Sequence, residues 1–312
     1  MKLRNIVGGI IGGMGAIAGI NHLLGKRAAR LGTPLSRELG RYRWRGMNIA
    51  YTEGGDPEAQ DMVLLHGVHR AGSSREFRRV FDHLTEDYHV LAPDLPGFGR
   101  SDRPPLTYSA RMYQSFVRDF MTDIADTPIC IASSLTASFA VKAADEVSIE
   151  QLLLICPTEE PHGGHRSILG RLLRLPIIGT AGFNVLTSRI GMRRMLNRQV
   201  VLDPNTVDKD DMAYFWQSAH QPGARNAPAS LVAGHLTVKE DLGSAIAELS
   251  IPTTLVWGRD VTSPPVTTGR DLADRSGSKL VVIDKAGIWP HYEQADSFLS
   301  LLEDEIVVTS TD

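Results

Sequence analysis

The sequence predicts an α/β protein built on a mostly parallel sheet, as one large domain with an insertion. Six short, nearly continuous apolar runs recur along the chain, as in strands buried on both faces, and stretches with helical periodicity separate most of them. The length of 312 residues and the hydrophobic and charged fractions, 42% and 22%, allow a sizeable core. They exclude a disordered chain and a multi-span membrane bundle.

The N-terminal segment, residues 1–38, is basic and apolar. An uncharged run over residues 6–20 extends to residue 24 if Asn21 and His22 are tolerated, but six glycines dilute it. A spanning helix needs about 20 mostly apolar residues, so this segment only just reaches the required length. We expect a bound or spanning membrane anchor over residues 6–24. A cleaved secretion signal and a glycine-rich helix of a cytoplasmic protein are the alternatives.

The strands and helices follow from about residue 39. Residues 42–53 read as an antiparallel hairpin. The six apolar runs cover residues 62–67, 88–94, 127–133, 151–157, 253–258 and 279–284. Arg- and Leu-rich helical sequence interrupts the alternation, so we predict a lid over residues 158–235 between core segments 39–157 and 236–312.

Charge is unevenly distributed along the chain. No acidic residue precedes Glu38, and the first 37 residues carry six positive charges; residues 161–200 carry seven arginines and again no acid. Removing these thirteen charges from the net charge of −3 leaves −16 on the rest of the chain. The basic patches could orient the protein at an anionic surface, or their arginines could pair with the acidic body or face water. With no overall positive charge, nucleic acid is excluded as a partner.

A candidate nucleophile lies where an apolar run meets an Ala-rich helical stretch. Ser134 is flanked two residues away on either side by Ala132 and Thr136, and a sharp strand-to-helix turn needs small residues at those positions. At the start of a helix, the Leu135 amide could join the Val68 amide, which follows His66-Gly67, in stabilising an oxyanion. A simple helix N-cap is the alternative role for this serine.

The order of these motifs resembles the α/β-hydrolase fold, particularly its lidded serine hydrolases. Six features follow one another over residues 42–307. They are His-Gly, DLPGFGRS over residues 94–101, the serine turn, the inserted lid, Trp-Gly after a strand, and PHYEQ before the last helix. The resemblance implies an eight-stranded, mostly parallel sheet with helices on both faces and a helical lid. It also implies Ser134 as nucleophile, the amides of Val68 and Leu135 as oxyanion donors, no cofactor, and an acyl substrate under the lid.

The sequence departs from this family at two of the three usual catalytic positions. Val261 occupies the position of the acid and Ile288 that of the histidine base. A serine hydroxyl is a poor nucleophile without a base, so a replacement is needed. We predict His291 as a displaced base, since it lies one helical turn beyond Ile288, and Asp260 as its orienting acid. The alternative acids and base are Glu159, Glu160 and His69.

Other site chemistry is weaker. His162 and His165 form an HGGH sequence without a nearby acidic ligand, so no metal site is predicted. Cys130 and Cys156 lie inside apolar runs and read as buried thiols. The apolar lid favours a lipophilic carboxylic ester or related acyl compound as a small-molecule substrate. The alternative is a catalytically impaired relative that serves as a binding or scaffold module.

Overall fold

A single eight-stranded sheet organises the protein. The computed structural model describes residues 3–28, 31–35, 37, 39–160 and 167–307. The strands are β1 (Leu39–Trp44), β2 (Met47–Gly54), β3 (Asp61–Leu65), β4 (His89–Pro93), β5 (Ile129–Ser133), β6 (Gln151–Ile155), β7 (Thr253–Gly258) and β8 (Lys279–Ile283). Their spatial order is β1-β2-β4-β3-β5-β6-β7-β8. Only the first two pairings, β1 with β2 and β2 with β4, are antiparallel.

Helices connect these strands and cover both faces of the sheet. Those before β7 are α1 (Leu3–Ala28), α2 (Phe81–Leu84), α3 (Ala110–Ile124), α4 (Leu135–Ala144), α5 (Ser167–Arg174), α6 (Pro176–Leu186), α7 (Arg189–Gln199), α8 (Lys209–Ala219), α9 (Asn226–Val232) and α10 (Leu242–Glu248). Those after β7 are α11 (Val266–Ser276), α12 (Pro290–Glu293) and α13 (Ala295–Val307). A short 3₁₀ helix, Ser74–Phe77, follows β3. The predicted fold class, an α/β-hydrolase-type sheet with helices on both faces, is confirmed.

The apolar runs that became β3 to β7 have side chains buried on both sides of the sheet, whereas β8 at the edge is only partly buried. In β3, Met62 and Leu64 join one core cluster, whereas Val63 and Leu65 join the cluster on the opposite face. The same alternation explains why these strands lack the polar positions of a half-exposed sheet. The two cysteines are buried and unpaired in these layers.

Five helices, α5 to α9, lie between β6 and β7, within the stretch where the sequence predicts a lid. We call them the helical insertion. Met192 of α7 and Phe215 of α8 belong to the same core cluster as Phe298 of α13, so the insertion packs onto one face of the sheet. Helix α1 packs along α6 of the insertion.

The N-terminal helix covers the apolar run predicted as an anchor. Asn21 donates a hydrogen bond from Nδ2 to the Ile177 carbonyl oxygen (3.1 Å) and accepts one at Oδ1 from Asn184 Nδ2 (2.9 Å). Across the described ranges, no helix has the length and apolarity needed to cross a bilayer.

Candidate active site

Ser134 lies at a sharp turn between β5 and α4. Its φ and ψ are 55° and −126°, a conformation that glycine adopts easily and other residues rarely. The turn is held by the Ser134 amide, which donates to the Ile155 carbonyl oxygen of β6 (2.8 Å). Thr136, one of the two flanking residues of this turn, donates from its hydroxyl to the His66 carbonyl oxygen (2.8 Å). That hydrogen bond ties the turn to the loop after β3.

The two amides predicted as oxyanion donors border the same cavity as Ser134. This cavity has a volume of about 130 Å³, and both Val68 and Leu135 line it. In the part of the chain that the structure describes, neither amide N–H has a hydrogen-bond acceptor. Two unused N–H groups beside a serine are suited to stabilising a developing oxyanion.

The His66 ring fixes the loop that carries Val68. Its Nε2 accepts a hydrogen bond from the Leu95 amide (3.0 Å), so in the neutral ring Nδ1 bears the proton and donates to the Gly67 carbonyl oxygen (2.9 Å). Burial lowers the pKa of His66, which keeps the ring neutral. This histidine therefore has a structural role beside the cavity.

His69 is a histidine that lines the cavity together with Ser134. Its ring lies against Trp289 (5.3 Å between ring centroids), and its Nδ1 accepts a long hydrogen bond from the Ala71 amide (3.3 Å). The proton of the neutral ring is then on Nε2, which lies 3.8 Å from Oε2 of Glu76. Burial, with the charge of Arg70, lowers the pKa of His69 to about 3, so the ring is neutral at ordinary pH.

Glu76 is a buried acid near His69 that the sequence did not reveal. It belongs to the 3₁₀ helix after β3, is fully buried, and accepts a hydrogen bond at Oε2 from the Gly67 amide (3.0 Å). Burial raises its pKa, although nearby histidines and that amide oppose the shift. In the polar, helix-like sequence SREFRRVF a glutamate is expected on the solvent face, so no signal in the sequence indicated its burial.

The structure does not bring His291, the predicted base, into the cavity with Ser134. Its fully buried ring lies against Phe77 (4.9 Å between ring centroids) and near Phe298 (5.7 Å). Its Nε2 is 3.7 Å from Oε1 of Glu76, and neither ring nitrogen makes a hydrogen bond within the described ranges. Burial lowers its pKa to about 4. Helix α12 therefore turns this side chain towards the core.

The predicted acids also lie apart from the serine or at the edge of its cavity. Asp260 is exposed and borders a separate groove, its amide bonded to the Ala286 carbonyl oxygen (3.1 Å). Glu159 accepts at Oε1 from the Leu242 amide at the start of α10 (2.5 Å). Glu160 is exposed and lines the serine cavity. Of the named candidates, His69 and Glu160 share that cavity with the nucleophile.

Hydrocarbon occupies the two positions where the resemblance implies a base and an acid. Ile288 lines the serine cavity, and its amide donates to the Val200 carbonyl oxygen of the insertion (2.8 Å). Val261 is buried. His162 and His165 lie outside the described residues, and among those described no group of three or more His, Cys, Asp or Glu could hold a metal.

Comparison with known proteins places this architecture in a family. Residues 62–301 match the model of the alpha/beta hydrolase family. A 2-hydroxy-6-oxononadienedioate/2-hydroxy-6-oxononatrienedioate hydrolase from Klebsiella pneumoniae is 26% identical, and the match covers 83% of this chain and 90% of the relative. The Escherichia coli K12 enzyme of the same name is 27% identical, and the match covers 78% of this chain and 85% of the relative.

Solved structures show the same fold at lower identity. A serine hydrolase involved in carbazole degradation has a TM-score of 0.72 at 18% identity, covering 88% of this chain and 100% of its own. A bacterial membrane phospholipase A has a TM-score of 0.71 at 20% identity, covering 99% and 100%. The curated relatives named above are hydrolases, which supports hydrolase activity in general. By its sequence match and its fold, this chain belongs to the alpha/beta hydrolase family.

Proposed function

We propose that the protein is a serine hydrolase that cleaves a carboxylic ester or related acyl substrate through Ser134. The observation that carries this proposal is the joint geometry of one cavity. A serine with positive φ and two amides without acceptors within the described ranges all face it. A plain helix N-cap needs neither the strained backbone nor the second amide from another loop.

We assign the base to His69 and its orientation to Glu76, in place of His291 and Asp260. His69 Nε2 lies 3.8 Å from Oε2 of Glu76 without a hydrogen bond between them, and the proton on Nε2 leaves Nδ1 as the basic nitrogen. In the reaction, His69 Nδ1 gives up the long hydrogen bond from the Ala71 amide, accepts a hydrogen bond from the Ser134 hydroxyl instead, and removes the hydroxyl proton. The serine oxygen attacks the carbonyl carbon, and the amides of Val68 and Leu135 hold the oxyanion.

The acyl-enzyme then forms and is hydrolysed. The protonated His69 ring gives its proton to the leaving alkoxide. Water, deprotonated by the same ring, then attacks the acyl-enzyme, and the carboxylic acid is released as Ser134 regains its proton. A base with a pKa of about 3 is weak, so turnover should be slow. The rate should not fall between pH 8 and about 5, because His69 stays neutral over that range.

The cavity supports a small, largely apolar acyl group. Its walls include Met195, Leu231, Val232 and Trp289, and Arg70 supplies a cation. The relatives described above are named for a dienedioate, a compound with two carboxylates. The Arg70 guanidinium is suited to pair with one of these carboxylates. The activity panel should therefore contain a short-chain p-nitrophenyl ester and 2-hydroxy-6-oxononadienedioate.

Labelling with a fluorophosphonate probe tests the nucleophile. We expect the wild type to be labelled, Ser134→Ala not to be labelled, and Ser138→Ala, which alters a nearby helix serine, to be labelled as the wild type is. His69→Gln should slow labelling about a hundredfold or more, whereas His291→Gln should leave the rate nearly unchanged. An unlabelled wild type, or labelling that persists in Ser134→Ala, contradicts the proposal. The reverse response of the two histidine variants contradicts the assignment of the base.

A second candidate function, a non-catalytic binding module, is favoured by Ile288. This side chain lines the serine cavity at the position of the usual base, and Val261 is buried at that of the usual acid. On this hypothesis the parent is inactive, and Ile288→His with Val261→Asp, if still folded by circular dichroism, should create esterase activity. Parent turnover that disappears in His69→Gln eliminates the binding-module hypothesis.

A further inference from the structure

Exposed large apolar side chains are concentrated in one part of the surface that the structure describes. Apart from Leu106, all of them lie on α1 or in the helical insertion and the short loops that join its helices. They are Met14, Ile20, Leu23, Ile168, Leu172, Leu175, Ile178, Val185, Leu186, Ile190 and Leu202. Single exposed apolar residues are ordinary, but such a concentration indicates an interaction surface.

Two helices of the insertion repeat the same outward pattern. In α5, Ile168 is followed three and four residues later by Arg171 and Leu172, and all three are exposed. In α7, Ile190 is followed in the same way by the exposed Arg193 and Arg194. Residues at this spacing share one face of a helix, so each helix presents isoleucine and arginine side by side. Ile190 is 83% exposed and Ile168 73%.

The arginines on these helices carry unneutralised charge. Arg171, Arg189, Arg193 and Arg194 form no ion pair with any residue in the described ranges, whereas arginines elsewhere, such as Arg75, do. Residues 161–200 contain no acid that could pair with them locally. Among the residues that the structure describes, these four arginines therefore do not pair with the acidic body; Arg166 of the same stretch lies outside those residues.

Helix α1 extends the same surface. It packs along α6, held by the hydrogen bonds of Asn21, and its exposed Ile20 and Leu23 are followed by Lys26 and Arg27 in its last turn. We define the apolar–basic face as the exposed apolar and basic side chains of α1, α5, α6 and α7. Its positive charge contrasts with a remainder of the chain that is strongly acidic.

We propose that the apolar–basic face binds the interfacial region of an anionic phospholipid bilayer. Helices that mix apolar and cationic side chains insert the former at the acyl boundary, while arginine reaches the phosphate groups. A symmetric contact between two copies of this chain would place the unpaired arginines of both copies against each other without any acid from residues 161–200. The charge pattern therefore favours lipid over a second copy.

The surface is coupled to the cavity through α7. The outward side of this helix carries Ile190, Arg193 and Arg194, and its inner side contributes Met195 and Gln199 to the cavity that contains Ser134. One helix thus separates the proposed lipid contact from the site. Binding of the bilayer itself does not depend on Ser134 chemistry.

Flotation of the full chain with vesicles tests this inference. The probes are phosphatidylcholine vesicles with and without phosphatidylglycerol, at low and high salt. We expect the wild type and Ser134→Ala to float with the anionic vesicles and to be released by salt. Arg193→Gln with Arg194→Gln should weaken binding about thirtyfold, since each basic residue near such a surface contributes about 1 kcal/mol. Ile190→Asp should weaken it about tenfold or more.

Matched variants separate this surface from a general effect of charge or folding. Arg111→Gln removes an exposed arginine of α3, and Ile190→Leu keeps the apolar contact; both should bind as the wild type does. All variants should unfold at the wild-type temperature. Failure of the wild type to bind anionic vesicles overturns the inference. So does equal loss in Arg111→Gln, or a self-association by light scattering that Ile190→Asp abolishes while vesicle binding persists.

Discussion

Ser134 adopts a backbone conformation that costs free energy in any residue with a side chain. Its φ of 55° with ψ of −126° lies in a region that glycine populates readily. The strain is held in place by the hydrogen bond that the Ser134 amide donates to the Ile155 carbonyl oxygen and by the buried helix that starts at Leu135. Strain that the surroundings enforce is characteristic of functional sites.

Relief of this strain gives a prediction at the residue scale. Ser134→Gly should be more stable to urea than Ser134→Ala by about 1 kcal/mol, because only glycine fits the turn without strain. Both variants lose the hydroxyl, so both should be inactive, and the difference in unfolding free energy reports the backbone alone. Equal stability of the two variants would show that the turn is not strained.

The buried His291 ring makes stability depend on pH. Burial lowers its pKa to about 4, although Glu76 acts in the opposite direction. The unfolded chain, with an ordinary pKa of about 6.5, binds the proton more readily. The ring's contribution is therefore fully present above pH 6.5 and is lost as pH falls from 6.5 towards 4.

We expect His291→Gln to flatten that acid dependence. Between pH 6.5 and 4 the unfolding free energy of the variant should fall less than that of the wild type, by about 3 kcal/mol. Urea unfolding at a series of pH values measures this difference. His22→Gln, which changes an exposed histidine of α1, should reproduce the wild-type curve. Parallel curves for wild type and His291→Gln would contradict the assigned pKa shift.

At the scale of elements, one carboxylate joins the helical insertion to the core. Asp211 of α8 is fully buried and accepts hydrogen bonds from Arg75 Nε (2.8 Å), from Arg78 and from the Tyr292 hydroxyl. Those three partners lie at the 3₁₀ helix, just beyond it, and on α12. The acid of one helix thus fixes the position of two other segments, the 3₁₀ helix with the residue after it, and α12.

Asp211→Asn should destabilise the protein strongly. The change leaves Arg75 without an ion-pair partner within the described ranges, whereas Arg78 keeps Asp208 (2.9 Å). Losing one partner of a buried ion pair typically costs about 3 kcal/mol or more. Asp210→Asn, the adjacent exposed acid on the same helix, should change the unfolding free energy by about 0.5 kcal/mol or less. Chemical unfolding of the two variants makes the comparison, and similar losses in both would contradict the role given to Asp211.

Strands and helices could be predicted from the sequence where one local pattern of apolar residues indicates the type of element. The run over residues 127–133 became β5, which is buried along its whole length, because continuous apolar residues suit strands covered on both faces. The run over residues 279–284 became β8, an edge strand that is only partly buried. The 3₁₀ helix Ser74–Phe77 was not separable from the helical sequence around it. Its four residues are too few to show a period, yet they place Glu76 3.8 Å from His69.

At the scale of the whole molecule, chain order alone does not specify which strands are neighbours. β3 lies between β4 and β5, so the loop carrying Val68 and the turn carrying Ser134 end on adjacent parallel strands. Carboxyl ends of neighbouring parallel strands share one edge of the sheet, which explains how the predicted serine and oxyanion residues meet. The same arrangement brings His69 to that edge.

Charge is segregated on the same scale. The acid-free stretches of the sequence, far apart along the chain, meet where α1 packs along α6. The sequence shows two separate basic stretches, and the packing of α1 along α6 brings them together on one surface. The resulting asymmetry persists although the net charge is only −3.

The sequence by itself determined the parallel sheet, the position of the insertion and the turn at Ser134, because local patterns of apolar and small residues encode those features. Tertiary structure decided the partners of that serine. Whether a histidine faces a cavity or the core depends on the packing of several segments, which turned His291 inwards against Phe77 and left His69 at the cavity. Burial of Glu76 was decided in the same way, since the free energy of a buried charge depends on neighbours that no local pattern records.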